Sequence, residues 1–294
     1  MRGTLRKFLA YPLIGAWLLL VGVAHAQTDR GLAWKIEKDG KTSYLLGTVH
    51  FWKQQWLPLN APIEQAFANS KTLAVEADVE KMDAAAVAGR MMLPGAETLA
   101  SRLDGALYSQ VKAEAEKIGI PEAAVNKFKP WAVMMVFAAT KVQQLGYAPD
   151  AGIDLHLIKK AKAAGKPVVE LESAEQQLQM LDSLTARTQS GLLAEYFASS
   201  ERTPQVVEAI IGAWKRGDAD ALFALNRKGF SDDEVKREFE DKFLYQRDLA
   251  MTRKIEDLMR QPGPHFIAVG ALHLVGPRSI IEQLKAKGYK VERM

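Results

Sequence analysis

The sequence has 294 residues, with 39 Lys and Arg against 35 Asp and Glu, five His and no Cys. Without cysteine there is no disulfide framework, no thiol catalysis, no iron–sulfur chemistry and no lipoprotein anchor. Three of the 39 basic residues and none of the 35 acidic ones precede residue 27, so the balance beyond that point is +1, and no basic stripe argues for nucleic acid.

In chain order, Arg2, Arg6 and Lys7 form a basic segment, Phe8 to Val23 an apolar one, and Ala24-His25-Ala26 a small-x-small cleavage signature. Residues 1–26 therefore read as a secretory signal peptide cut before Gln27, which predicts a periplasmic or secreted protein. No later stretch reaches the ~18 apolar residues of a membrane span. Residues 27–294 are long enough for one large domain with a substantial core.

Leu32 to Glu37 and Thr42 to Leu46 flank Asp39-Gly40, the strongest short hairpin signal. The second of these strands runs into Gly47-Thr48-Val49-His50. A loop with Trp52 and Trp56 leads to a helix over 62–69, and Thr72-Leu73-Ala74-Val75-Glu76 reads as a short buried strand turning acidic at its end. From Ala84 to Gln144 the pattern is helical, broken near Pro94-Gly95, Gly119 to Pro121 and Pro130. Its stretch Trp131 to Val142 is apolar nearly all round, which predicts a central helix. A turn at Tyr147 to Asp150 precedes an amphipathic helix that Gly165 ends. Lys166 to Glu172 is another short strand, and Ser173 starts a helical run extending to Arg260. Pro262-Gly263-Pro264 launches the strand His265 to Gly270, which ends in Gly270-Ala271-Leu272-His273. A helix over 279–287 and a strand over 289–292 close the chain. The organisation predicts an α/β fold whose mixed central sheet uses both ends of the chain, with large helical regions at about 84–147 and 176–260.

Beyond residue 26 there are four histidines, and two of them, His50 and His273, stand three residues past a glycine at the end of an apolar strand. Four short strands thus end in groups that could bind metal: His50, Glu76, Glu170 or Glu172, and His273. In open α/β sheets, ligands sit beyond the carboxyl ends of parallel strands. If these four run parallel the groups converge; an antiparallel neighbour would drop out. Two imidazoles with one or two carboxylates suit Zn²⁺, Mn²⁺, Co²⁺ or Fe²⁺ with a position left for water. Helical spacing by four places Phe239, Phe243, Arg247, Met251 and Ile255 on one face. An arginine in that stripe is either buried against a carboxylate or presented to developing negative charge. His156 lies among apolar neighbours and reads as structural, and Asp154 and Glu175 sit in first helical turns where acids are expected. H-E-x-x-H, G-x-S-x-G, G-x-G-x-x-G and P-loop motifs are all absent.

Gly47-Thr48-Val49-His50, Glu76, Gly165-Lys166-Pro167-Val168 leading to Leu171-Glu172-Ser173-x-Glu175-Gln176, Arg247, and Gly270-Ala271-Leu272-His273-Leu274-x-Gly276 together resemble the TraB/GumN family. That family includes pheromone-shutdown proteins and is related to the TIKI metalloproteases. The resemblance implies a TIKI/ChaN-like α/β fold and a metal-dependent peptidase centre, with Mn²⁺ or Co²⁺ in the proteolytic relatives. It implies His50, His273 and Glu76 as metal ligands and Arg247 as the group steadying an oxyanion or substrate carboxylate. Position 248 departs from the pattern, because the usual Arg-Asn is Arg247-Asp248 here.

These readings lead to an exported metal-dependent hydrolase, peptidase-like, whose metal activates water with Glu76 or Glu172 as general base. The alternative is a non-catalytic binding protein that sequesters a peptide, haem or small ligand in the same pocket. A structural envelope protein, with the Gly-x-x-His units as fold-forming turns, is the third reading.

Overall fold

The computed structural model describes residues 29–228 and 230–294, so the expected signal segment lies outside the described residues. Six strands form one sheet: β1 (Leu32–Lys38), β2 (Lys41–Thr48), β3 (Thr72–Val75), β4 (Val168–Glu170), β5 (His265–Gly270) and β6 (Lys290–Arg293). Their spatial order is β4-β3-β5-β2-β1-β6. β1 and β2 are the predicted hairpin. Asp39 and Gly40 both take positive φ (51° and 73°), which matches the turn twist to the strand twist.

The pairing answers the question of direction left open by the sequence. β4, β3, β5 and β2 are mutually parallel, while β1 runs antiparallel to β2 and to β6. All four candidate strands therefore deliver their carboxyl ends to one edge. β5 is the spine. With β3 on one side and β2 on the other, its residues His265 to Val269 are all buried, which is why it reads as an unbroken apolar run. Leu45, Leu46, Leu73, Ile267 and Ala268 have no exposure, and each of the larger ones contributes roughly 2 kcal/mol by leaving water.

Around the sheet core pack the helices Ala61–Asn69, Ile153–Ala163, Gln246–Arg260 and Ile280–Ala286. Two further apolar clusters lie among the helices, one around Leu99, Val111, Phe137 and Leu193, the other around Trp131, Leu181, Leu192 and Val235. The helix Pro130–Gln144 is central as predicted, because it feeds all three clusters: Trp131 and Ala132 one, Val133 and Phe137 another, and Val142 the sheet core. Its apolar surface is not covered all round, since Met135 is exposed.

One expectation needs correction. The segment 232–260 is not one α-helix with a continuous stripe. It runs as Asp233–Phe239, then a π-helical segment Glu240–Tyr245, then Gln246–Arg260. The wider turn rotates the face, so Phe239 and Phe243 pack against the Trp131 cluster while Met251 and Ile255 enter the sheet core. A π segment of this kind is common beside functional sites, and Arg247-Asp248 follow it directly. Among the described residues, no helix is long and apolar enough to cross a membrane.

Candidate functional site

β3 and β4 place two carboxylates side by side. The parallel ladder continues past both strand ends, with Leu171 N–H donating to the Val75 carbonyl (2.8 Å) and Glu172 N–H to the Glu76 carbonyl (2.7 Å). Glu76 and Glu172 are both buried. Glu170 points elsewhere, where it accepts from the Asp78 N–H at 2.8 Å and pairs with Lys81. Of the two carboxylates at the end of β4, Glu172 is therefore the one at the cluster.

Arg247 closes the pair. Its Nη2 donates to Glu76 Oε2 at 2.7 Å and its Nε to the two oxygens of Glu172 at 2.9 and 3.0 Å. Nη1 donates to the Phe243 carbonyl at 3.0 Å, one turn back along the helix. The arginine is thus buried against carboxylates, one of the two roles left open for it. Glu76 is further held by the Gly270 N–H (2.6 Å) on Oε1 and by Gln177 Nε2 (3.1 Å) on Oε2. Burial alone would raise the Glu76 pKa. The charges of His273, Arg247 and His50 and the Gly270 bond outweigh it and bring the group down to about 2. Gly270 lets Glu76 approach closely, since a Cβ there would lie 3.0 Å from Glu76 Oε1 and the carboxylate would have to give way.

β5 and β2 bring the two histidines to neighbouring strand ends. Thr48 pairs with Gly270, so the two Gly-x-x-His motifs lie side by side, staggered by one residue. Their geometry then diverges. After Gly270 the chain winds into a 3₁₀ turn, Ala271–Leu274, which buries His273 with Nε2 3.4 Å from Glu76 Oε1 and Nδ1 2.5 Å from Asp248 Oδ1. After Thr48 the chain bends outward, and the His50 side chain is 68% exposed, with Nδ1 2.9 Å from Asp154 Oδ2. The charge of Asp154 holds the His50 pKa up to about 9, with Glu76 adding to the rise and Arg247 opposing it. Water reaching so exposed a ring screens that attraction. No hydrogen bond joins His50 to Glu76 or His273 among the described residues; charge links it to Glu76.

Two aspartates thus touch the two histidines: Asp154, which the sequence reading set aside as a first-turn acid, and Asp248, which it marked as a departure without a role. Asp154 sits in the first turn of its helix as expected, yet its other oxygen accepts from the Thr48 hydroxyl. That placement depends on Gly152, whose φ of −50° any residue could adopt but whose added Cβ would meet the His50 carbonyl oxygen at 2.3 Å. Ile153 N–H then donates to the Val49 carbonyl at 3.0 Å and locks the helix start onto the turn. Asp248, the departure from the family pattern, is buried against His273, and burial pushes its carboxyl up. Nothing in the sequence spacing links 154 to 50 or 248 to 273. The departure at 248 marked that position without pointing to its partner. Glu175 lies outside the cluster and pairs with Arg90. His156 stays on its helix, where burial lowers its pKa.

Two carboxylates, Glu76 and Glu172, meet one guanidinium here, and two more, Asp154 and Asp248, each meet a histidine. The donor types fit a divalent ion of the Zn²⁺ or Mn²⁺ kind: two imidazoles, each with Nδ1 engaged by a carboxylate, beside Glu76. The arrangement is looser than a finished cage. Among the described residues, no three His, Asp or Glu side chains stand close enough together to hold a metal.

The match to the TraB/PrgY/gumN family spans residues 32–293. The chain belongs to the TraB/PrgY/gumN family. Among its TraB/PrgY/gumN relatives, the uncharacterized protein YbaP of Escherichia coli (strain K12) is 28% identical over 242 residues, covering 82% of this chain and 87% of YbaP. YbaP of Shigella flexneri is 28% identical over 243 residues, 83% and 88% of the two chains. Metalloprotease TIKI1 of Xenopus tropicalis is 24% identical over 310 residues, covering 88% of this chain and 60% of the TIKI1 length. No solved structure matches.

Proposed function

We propose that this TraB/PrgY/gumN protein is an exported, metal-dependent hydrolase that cleaves peptide bonds. The observation that carries the reading is the convergence of His50, Glu76, Glu172 and His273 on one edge of a parallel sheet, with Arg247 between the carboxylates. The similarity to proteins named metalloproteases supports the reaction class. In this reading His50, His273 and Glu76 hold the ion, Mn²⁺, Co²⁺ or Zn²⁺, which would supply a water of lowered pKa. Glu76, ionised down to about pH 2, is a weak base and suits the ligand role. Glu172 is then the carboxylate that would serve as general base, and Arg247 holds both carboxylates in place.

A second reading, a non-catalytic binder of a peptide, haem or small ligand, draws on one observation: both Glu76 oxygens are already bonded within the chain. A peptide-library digestion separates the two. The purified exported protein, incubated with Mn²⁺, Co²⁺ or Zn²⁺, should release new peptide termini, and His50→Ala and Glu172→Gln should each abolish release while keeping the fold. Peptide or haem binding without cleavage in any metal would replace the hydrolase by the binder.

A further inference from the structure

Both histidines meet a carboxylate through the same ring nitrogen, although their surroundings differ in every other respect. His273 is buried on a 3₁₀ turn and faces Asp248, which comes from the helix Gln246–Arg260. His50 is exposed on a bend and faces Asp154, which comes from the helix Ile153–Ala163. A carboxylate oxygen is an acceptor, so a ring that meets one through Nδ1 is placed to donate from that nitrogen. We infer that Asp154 and Asp248 are positioning residues that hold both histidines in the Nδ1–H tautomer when neutral, with the Nε2 lone pair of each left for a ligand. In solution an isolated histidine favours the opposite tautomer, so the two aspartates reverse an intrinsic preference.

Two independent details support this. Asp154 is itself held, by the Thr48 hydroxyl on its second oxygen and by the tight seating of Gly152-Ile153 on the turn that carries His50. Such a pre-set acceptor is what orients a ligand imidazole. On the other side, His273 Nε2 lies 3.4 Å from Glu76 Oε1. That nitrogen therefore faces the carboxylate cluster, where a cation held beside Nε2 and Oε1 would engage both. An asparagine at 248 could still accept from Nδ1–H through its amide oxygen, so the aspartate keeps the geometry that asparagine would provide and adds negative charge. The inference rests on the reading of this edge as a cation site, and the test separates the two.

Histidine-selective ¹⁵N labelling of the metal-free exported protein, followed by long-range ¹H–¹⁵N correlation through the alkaline limb of the titration, reads the tautomer of each neutral ring. His156 and His265 serve as internal references. His50 and His273 should both show a protonated Nδ1. Asp154→Ala should turn only His50 to the Nε2–H form, and Asp248→Ala only His273, while Asp154→Asn and Asp248→Asn should keep Nδ1–H. Zn²⁺ affinity, titrated on the same samples, should fall about 10- to 100-fold in the alanine variants and recover with asparagine. Nε2–H rings in the unsubstituted protein, or tautomers indifferent to both alanine changes, would overturn the assignment. The spectrum of the unsubstituted protein decides this even if Asp248→Ala fails to fold. Correct tautomers with no Zn²⁺ uptake would leave the positioning role standing and remove the metal reading.

Discussion

Arg247 shows what the cluster costs to build. Two buried carboxylates, Glu76 and Glu172, share one guanidinium. Arg247→Met keeps apolar bulk but leaves both acids uncompensated, and removing one partner of a buried pair typically costs about 3–5 kcal/mol. Urea unfolding of Arg247→Met should show a loss in that range, and adding Glu172→Gln should restore part of it. A second carboxylate, remote from the site, sets a pH dependence. Burial would raise the Glu238 pKa, but Lys242, the Thr185 and Thr188 hydroxyls and the Thr185 N–H bring it from the ordinary 4.5 to about 2. The shift is downward, so its stabilisation is complete above pH 4.5 and fades as pH falls toward 2. Glu238→Gln should lose on the order of 1–2 kcal/mol at neutral pH, allowing for partial screening, and nothing at the acid end. A constant difference across that window, measured by denaturation at each pH, would contradict the assignment. Residue types were legible where they recurred: the doubled Gly-x-x-His picked out His50 and His273. The contacts of Asp154 and Asp248 were not legible: a first-turn acid looks ordinary, and the departure at 248 named no partner until the fold brought each acid to a ring nitrogen.

At the level of elements, the short apolar runs and their acidic or histidine ends were readable, and their parallel direction was not. Strand direction depends on connections of 20 to 100 residues whose paths no local pattern reveals; the pairing of β3 with β5 joins Thr72 to His265. The π segment at Glu240–Tyr245 was equally hidden, since a 3.6-residue period fits its flanks and one wide turn leaves no compositional mark. Glycine supplies the sharpest test of how elements seat on one another. A Cβ on Gly152 would lie 2.3 Å from the His50 carbonyl oxygen, whereas one on Gly165 meets nothing within 4 Å. Gly165→Ala pays only for its positive φ of 66°, about 1 kcal/mol. Gly152→Ala has an allowed backbone yet must force the helix Ile153–Ala163 off the turn, costing ~2 kcal/mol or more. Thermal unfolding should therefore rank Gly152→Ala as the more damaging, and His50 should lose its bond to Asp154 in that variant alone.

For the molecule as a whole, the sheet explains why residues 220 positions apart, near the two ends of the chain, make one site. β2 and β5 are neighbours, their ends are in register within one residue, and the helices between them return the acidic strands β3 and β4 to the same edge. Family membership agrees with that architecture, and the reaction remains our proposal. Its central claim is that this edge binds a divalent cation through the two histidines. Isothermal titration of the purified protein with Mn²⁺, Co²⁺ and Zn²⁺, alongside the His50→Ala/His273→Ala double variant, tests it most directly. The account predicts about one ion bound per chain with proton release, and no binding by the folded double variant. Equal binding by both proteins, or none by either, would contradict it.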